Sequence, residues 1–148
     1  MADRVCLWSR SADQLEAIAQ SGQNQAYLPG ISLPKSLRLE SDFDAAVKRL
    51  GVDDLLVIAT PMSGLSETIA RVLKVADHSL NIVWLCKGLE PTTALLPHQV
   101  VERENRIHSH GIQHAYGALS GPSFAHEVGS GMPCALTVAS SSERLCKI

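Results

Sequence analysis

The sequence predicts an α/β fold built on a doubly wound, mostly parallel sheet, and three observations carry that prediction. Short β-rich runs alternate with helical stretches along the 148 residues, the order that joins parallel strands through crossover helices. The clearest runs, Leu55 to Ala59 and Ile82 to Cys86, are apolar throughout, as strands covered on both faces are. Two such runs end in compact polar strings, Lys87-Gly88-Leu89-Glu90 after Cys86 and Ser120-Gly121-Pro122-Ser123-Phe124-Ala125 after Leu119. In open α/β sheets ligands bind outside the carboxyl ends of the strands. A lysine and a Gly-Pro turn opening a helix there describe a site for an anionic small molecule, although ordinary loops use the same residues.

Taken in order, Arg4 to Trp8 reads as a strand ended by Ser9-Arg10-Ser11, with Ser11 as N-cap of a helix carrying Leu15, Ile18 and Ala19 on its inner face. Gly22 ends that helix, and a Pro/Gly-punctuated loop runs from Asn24 to Pro34. A short strand follows over Leu37 to Leu39. The next helix starts at Asp42 and buries Phe43, Ala46, Val47 and Leu50. Pro61 stops the strand Leu55 to Ala59, and a helix then places Leu65, Ile69, Val72, Leu73 and Ala76 on one face. The strand Ile82 to Cys86 leads to a helix over Leu95 to Glu102, a polar connection from Arg103 to Gln113, and the strand Ala115 to Leu119. A helix from Ser123 to Val128 and a strand from Ala135 to Ala139 complete the alternation, and the charged tail Ser140 to Ile148 shows no packing pattern.

Composition narrows the function classes. The hydrophobic share of 45% and charged share of 19% suit one folded domain. Thirteen basic against fifteen acidic residues give a formal net charge of -2, with the basic residues scattered, which argues against nucleic acid as a partner. No apolar run approaches a membrane span, and the N-terminus lacks the succession of a secretory signal, so a cytoplasmic location is expected. The cysteines Cys6, Cys86, Cys134 and Cys146 form no C-x-x-C pair, and three sit in or beside apolar runs, which predicts small buried structural thiols in a reducing compartment. His108, His110 and His114 lie in the polar connection without a regularly spaced carboxylate, so they read as a solvated loop and no metal site is expected.

A dinucleotide fold carries a G-x-G-x-x-G loop on its first strand-helix turn, and the residue that reads the ribose at the end of its second strand. No such glycine string occurs in the chain. With Arg4 to Trp8 as the second strand, the pattern begins about one βα unit late, giving a Rossmann-like sheet that lacks its first strand and Gly-rich loop. Arg10 then stands where a basic residue accommodates the 2′-phosphate of NADP.

The ordered set Val5-Cys6-Leu7-Trp8 with Arg10, Asn24, Tyr27-Leu28-Pro29-Gly30, Leu55 through Pro61, Val83 through Glu90, Leu119 through Glu127 and Gly131-Met132-Pro133 resembles the N-terminal domain of bacterial NAD(P)-dependent glycerol-3-phosphate dehydrogenases. The similarity spans nearly the whole chain. It implies hydride transfer between NADPH or NADH and dihydroxyacetone phosphate or glycerol 3-phosphate, supplying glycerol phosphate for phospholipid synthesis. It implies that Lys87, Gly121 and Ser123 bind substrate, and that Arg10, Lys87 and Ala125 bind cofactor. The family's proton-acceptor lysine belongs to a C-terminal helical domain that is expected to be absent here, so no catalytic residue is assigned. A homodimer is expected of the longer protein. The contrasting expectation is a truncated, inactive remnant with at most weak nucleotide or anion binding.

Overall fold

The computed structural model describes residues 5–147. Its elements are β1 (Cys6–Trp8), α1 (Ala12–Ser21), β2 (Arg38–Glu40), α2 (Phe43–Lys48), β3 (Leu55–Ile58), α3 (Met62–Val75), β4 (Asn81–Trp84), α4 (Pro97–His108), β5 (Ala115–Ser120), α5 (Ala125–Gly129), β6 (Thr137–Ser140) and a terminal 3-10 turn, Leu145–Lys147. The strands form two sheets, a parallel pair β1-β2 and a four-stranded sheet in the order β3-β4-β5-β6. Two compact units follow from the packing: residues 5–46 with Pro122–Ala135, and Val47–Gly121 with residues 136–147.

In the first unit, β1 pairs with β2 in the register Cys6 to Arg38 through Trp8 to Glu40. The Ser11 hydroxyl accepts the Gln14 N–H and starts α1, whose buried side chains are Leu15 and Ile18. Gly22, at φ 67°, closes that helix in the left-handed region, where a residue without Cβ is unstrained. The Asp42 carboxylate caps α2 through the N–H groups of Asp44 and Ala45 at 2.9 and 3.2 Å. Trp8 meets Phe43 edge-on, with ring centroids 4.8 Å apart.

The second unit holds the larger core. β4 lies between β3 and β5, and all four of its residues are buried, as a central parallel strand covered on both faces requires. Its first residue, Asn81, satisfies its buried amide by donating to the carbonyls of Val52 and Asp54 at 2.9 and 3.0 Å. The crossovers β3-α3-β4 and β4-α4-β5 advance the same way across the sheet, so right-handed connections set both helices on one face. Leu65, Ile69, Val72 and Leu73 of α3 and Val100 and Val101 of α4 are fully covered there.

Several expectations are corrected. Arg4, the first residue of the expected opening strand, and Ile148 lie outside the described residues. Ala19 is exposed and Ala46 and Leu50 are only half-buried, because α1 and α2 are short and present just two buried apolar side chains each. The second strand is shifted one residue, to Arg38–Glu40. The polar connection is largely helix: Pro97 opens α4, which runs on to His108, and Arg103 to His108 spend their charge on the helix surface and on a buried network. β6 begins two residues late and runs antiparallel to β5. Cys6, Cys134 and Cys146 are exposed and Cys86 is half-buried, so the thiols are not core residues.

The charged tail also packs. Leu145 is 2% exposed and its Cδ2 would lie 3.1 Å from a Cβ at Gly117, with the Ala139 carbonyl oxygen equally close. Strand alternation places Gly117 on the sheet face opposite Tyr116 and Ala118. The Arg144 guanidinium ties the same turn to the Val52 carbonyl and the Asp53 carboxylate. Gly117→Ala is expected to cost about 1–3 kcal/mol through overpacking, read as a lower thermal midpoint. An unchanged midpoint would show that the 3-10 turn lifts off without cost.

Candidate functional site

The carboxyl ends of β4 and β5 open onto a cleft of about 590 Å³ whose lining includes Trp84, Lys87, Gly88, Val101, Tyr116 and Ser120. Its walls follow from the pleat, which turns Trp84, Tyr116 and Ala118 toward α4. Tyr116 donates its hydroxyl to Asn105 Oδ1 on α4 at 2.6 Å, and burial raises its pKa. Burial likewise pushes the Cys86 thiol up, so it stays protonated at neutral pH on the same wall.

Lys87 stands three residues beyond Trp84, the last residue of β4. The Leu85 N–H still donates to the Ile58 carbonyl at 3.0 Å, continuing the ladder into the site. Gly88 follows at φ 94°, a conformation that L side chains rarely adopt. Lys87 is exposed, and its ammonium pairs with no carboxylate among the described residues. Ser120, the last residue of β5, lines the same cleft. Gly121, half-buried, comes directly after it.

The other predicted site residues belong to the first unit. Arg10 is exposed in the turn between β1 and α1. Around it the Ser9 hydroxyl accepts the Ser11 N–H and donates to Gln14 Oε1, so the turn is internally braced. The helix expected from Ser123 begins two residues later, at Ala125, with Phe124 at the cap position. Ser123 and Ala125 are exposed. Gly129 at the end of α5 lies against Ile31 and Leu28 of the 24–34 loop, which gives the Tyr27-Leu28-Pro29-Gly30 string a packing role.

A network that the sequence reading missed begins at Glu90, three residues after Lys87. Glu90 and Glu104 are buried, each 7% exposed. Arg103 donates from Nη1 to Glu90 Oε2 at 2.8 Å, from Nη2 to Glu90 Oε1 at 2.9 Å, and from Nε to Glu104 Oε1 at 2.9 Å. Ser66 on α3 joins it, donating to Glu104 at 2.9 Å and accepting from Arg103 at 3.0 Å, and the Thr93 hydroxyl donates to Glu90. The Arg103 and Thr93 hydrogen bonds hold the Glu90 carboxyl at a pKa of about 2, and the two carboxylates raise that of Arg103. The signal was present in the sequence: Val100, Val101 and Glu104 share one face at helical spacing, and Pro97 is a helix-opening residue.

The three histidines do not form one loop. His108 ends α4 with Nε2 3.6 Å from Glu104 Oε2, and His114 is half-buried with Nδ1 accepting the Leu80 N–H. Burial lowers the His114 pKa. Among the described residues no three metal-ligating side chains come together.

The sequence profile of the NAD-dependent glycerol-3-phosphate dehydrogenase N-terminus matches residues 1–146. The chain belongs to that family. It is 76% identical over 144 residues to a glycerol-3-phosphate dehydrogenase (NAD(P)+) of Polynucleobacter necessarius, covering 97% of this chain and 42% of the relative. A second relative, from Polynucleobacter asymbioticus, is 72% identical over 147 residues, covering 99% of this chain and 43% of the relative. The crystal structure of a Coxiella burnetii glycerol-3-phosphate dehydrogenase superposes with a TM-score of 0.82 at 30% identity, covering 97% of this chain and 41% of that one. The Rossmann-like fold is thereby shown, and the chain spans less than half the length of the glycerol-3-phosphate dehydrogenases it matches. No helix among the described residues is long and apolar enough to cross a membrane.

Proposed function

We propose that this chain carries the binding half of a glycerol-3-phosphate dehydrogenase. The observation that carries the reading is Lys87, an unpaired cation at the carboxyl end of β4 on the rim of an open cleft, within a chain of that family. The cleft fits the reacting end of the ligands: Lys87 offers charge, Gly88 close backbone approach, and Ser120 a hydroxyl. Residues 1–148 contain no G-x-G-x-x-G string to cradle a pyrophosphate. When bound, NADPH or NADH supplies the hydride that turns dihydroxyacetone phosphate into glycerol 3-phosphate. Lys87 holds the anionic substrate and polarises its keto oxygen, where negative charge develops. Gly121 and Ser123 complete the substrate contacts, and Arg10 and Ala125, with Lys87, those to the cofactor. The product serves phospholipid synthesis in the cytoplasm, and the longer protein works as a homodimer without nucleic acid or membrane insertion.

The test is a graft. The Polynucleobacter necessarius enzyme, with its matching 144-residue stretch replaced by this chain's, is expected to reduce dihydroxyacetone phosphate with NADPH. A soluble, folded graft without turnover would overturn the reading. Expressed as these 148 residues alone, the chain is expected to bind glycerol 3-phosphate weakly and turn nothing over.

Arg10 sets the cofactor preference in this proposal. Arg10→Asp in the graft is expected to raise the Kd of NADPH at least about tenfold more than that of NADH, since a repulsive contact replaces a charge-assisted one. Equal losses for both cofactors in a binding titration would assign Arg10 to something other than the 2′-phosphate.

A further inference from the structure

We propose that Glu90 and Arg103 are positioning residues whose two-toothed ion pair clamps the far end of the Lys87 loop and so fixes where the Lys87 ammonium stands. The inference rests on the reading of Lys87 as the substrate lysine and adds the device that aims it.

The loop between β4 and Glu90 is anchored twice. At its start, the Leu85 N–H donates to the Ile58 carbonyl of β3 at 3.0 Å. At its end, the Glu90 N–H donates to the Leu95 carbonyl and the Glu90 carbonyl accepts the Ala94 N–H, each at 2.9 Å. Lys87, Gly88 and Leu89, all exposed, hang between the anchors, and their backbones take part in none of those bonds. Gly88 adds backbone freedom at the point that follows the lysine. The direction of Lys87 therefore depends on how firmly Glu90 is held.

Glu90 is held by more than its backbone requires. Both carboxylate oxygens receive a nitrogen of the same Arg103 guanidinium, and Thr93 adds its hydroxyl. Arg103 is itself oriented by Glu104 and Ser66, so the clamp reaches back into α3 and α4. A planar fork fixes direction as well as distance, which a lysine ammonium at the same place does not. Burying these charges is weak evidence for stability alone. Glu90 lies three residues from Lys87, and Arg103 lies on α4, whose Pro97, Val101 and Glu102 line the cleft, which gives the pair a geometric task.

The test uses the 148-residue chain with two readouts. Arg103→Lys keeps the charge and removes the fork, and Thr93→Ala removes one bond to Glu90 from an exposed residue, so each leaves the core intact. Backbone order parameters by NMR relaxation are expected to stand near ~0.85 for Lys87, Gly88 and Leu89 in the parent, and to drop toward ~0.6 in Arg103→Lys. Those of Ile82 to Trp84 are expected to stay unchanged. Titration with glycerol 3-phosphate is expected to show Arg103→Lys weakening binding about tenfold. In a Lys87→Ala background the same change is expected to have no further effect, because Arg103 acts only through the lysine. Order parameters that do not change in Arg103→Lys, or a binding loss that persists without Lys87, would overturn the proposal. Parent chain that fails to bind glycerol 3-phosphate would instead count against Lys87 as the substrate lysine, and the order parameters would still decide the clamp.

Discussion

Lys87→Ala, introduced into the grafted enzyme, is expected to lower kcat/KM for dihydroxyacetone phosphate by about 10²–10³-fold, the range seen when one charge-stabilising donor is removed. The side chain is exposed and pairs with nothing in the fold, so its loss removes no packing and leaves no buried partner behind. The expected thermal midpoint is therefore that of the parent. Substrate affinity and turnover are both expected to fall, because an ammonium that binds phosphate in the ground state and faces a developing alkoxide in the transition state contributes to both. Lys87→Arg is expected to recover only part of the activity, since a planar fork is not a point charge. Steady-state kinetics with near-parent turnover in Lys87→Ala would remove the lysine from the mechanism and leave the cleft without its principal cation.

Much of the second unit was legible in the sequence because its strands are apolar throughout and bounded by polar strings. Leu55 to Ile58 and Asn81 to Trp84 stand within one residue of their expected starts, and the buried face of α3 is the one that Leu65, Ile69, Val72 and Leu73 predict. Legibility failed where charge and helix coincide. From Arg103 onward the side chains look like a loop, yet Glu104 is buried because its neighbour Arg103 and a serine from elsewhere in the fold meet it. Such a residue is read as solvated from one chain segment, and as core once Ser66 of α3 is brought alongside. The tail failed for a related reason: one leucine, Leu145, docks on the bare surface of Gly117, and a single residue shows no period.

The cleft at the strand ends was legible as a position, and the network beside it was not. The strings that begin at Lys87 and Ser120 were singled out from their place after apolar runs, a rule of parallel sheets that needs no distant contact. Glu90 belongs to the same four-residue string, but its use depends on Arg103, thirteen residues on, arriving across a helix turn. The string Ser120 to Ala125 divided differently. Its strand end lines the cleft, whereas the helix after it begins at Ala125, two residues later than expected.

Glu90→Ala is expected to destabilise the second unit by about 3 kcal/mol, because it leaves the Arg103 guanidinium partly buried with Glu104 as its one carboxylate partner in the network. Glu90→Gln keeps the shape and one acceptor, and is expected to cost less. The pH dependence separates the electrostatic part. In the folded chain the Glu90 carboxyl titrates at about 2, against an ordinary value of 4.5. A depressed folded pKa means that the unfolded chain takes up the proton first as the medium is acidified. The stability owed to Glu90 is therefore fully present above pH 4.5, shrinks as the pH falls from there, and is gone once it passes about 2. Urea unfolding of parent and Glu90→Gln chains across that window is expected to give curves that differ most near neutrality and converge toward pH 2, while other carboxylates contribute equally to both. A difference that stays constant from pH 7 to pH 2 would mean that the Glu90 charge contributes nothing beyond packing. The network that begins at Glu90 would then owe its strength to Glu104 and Ser66.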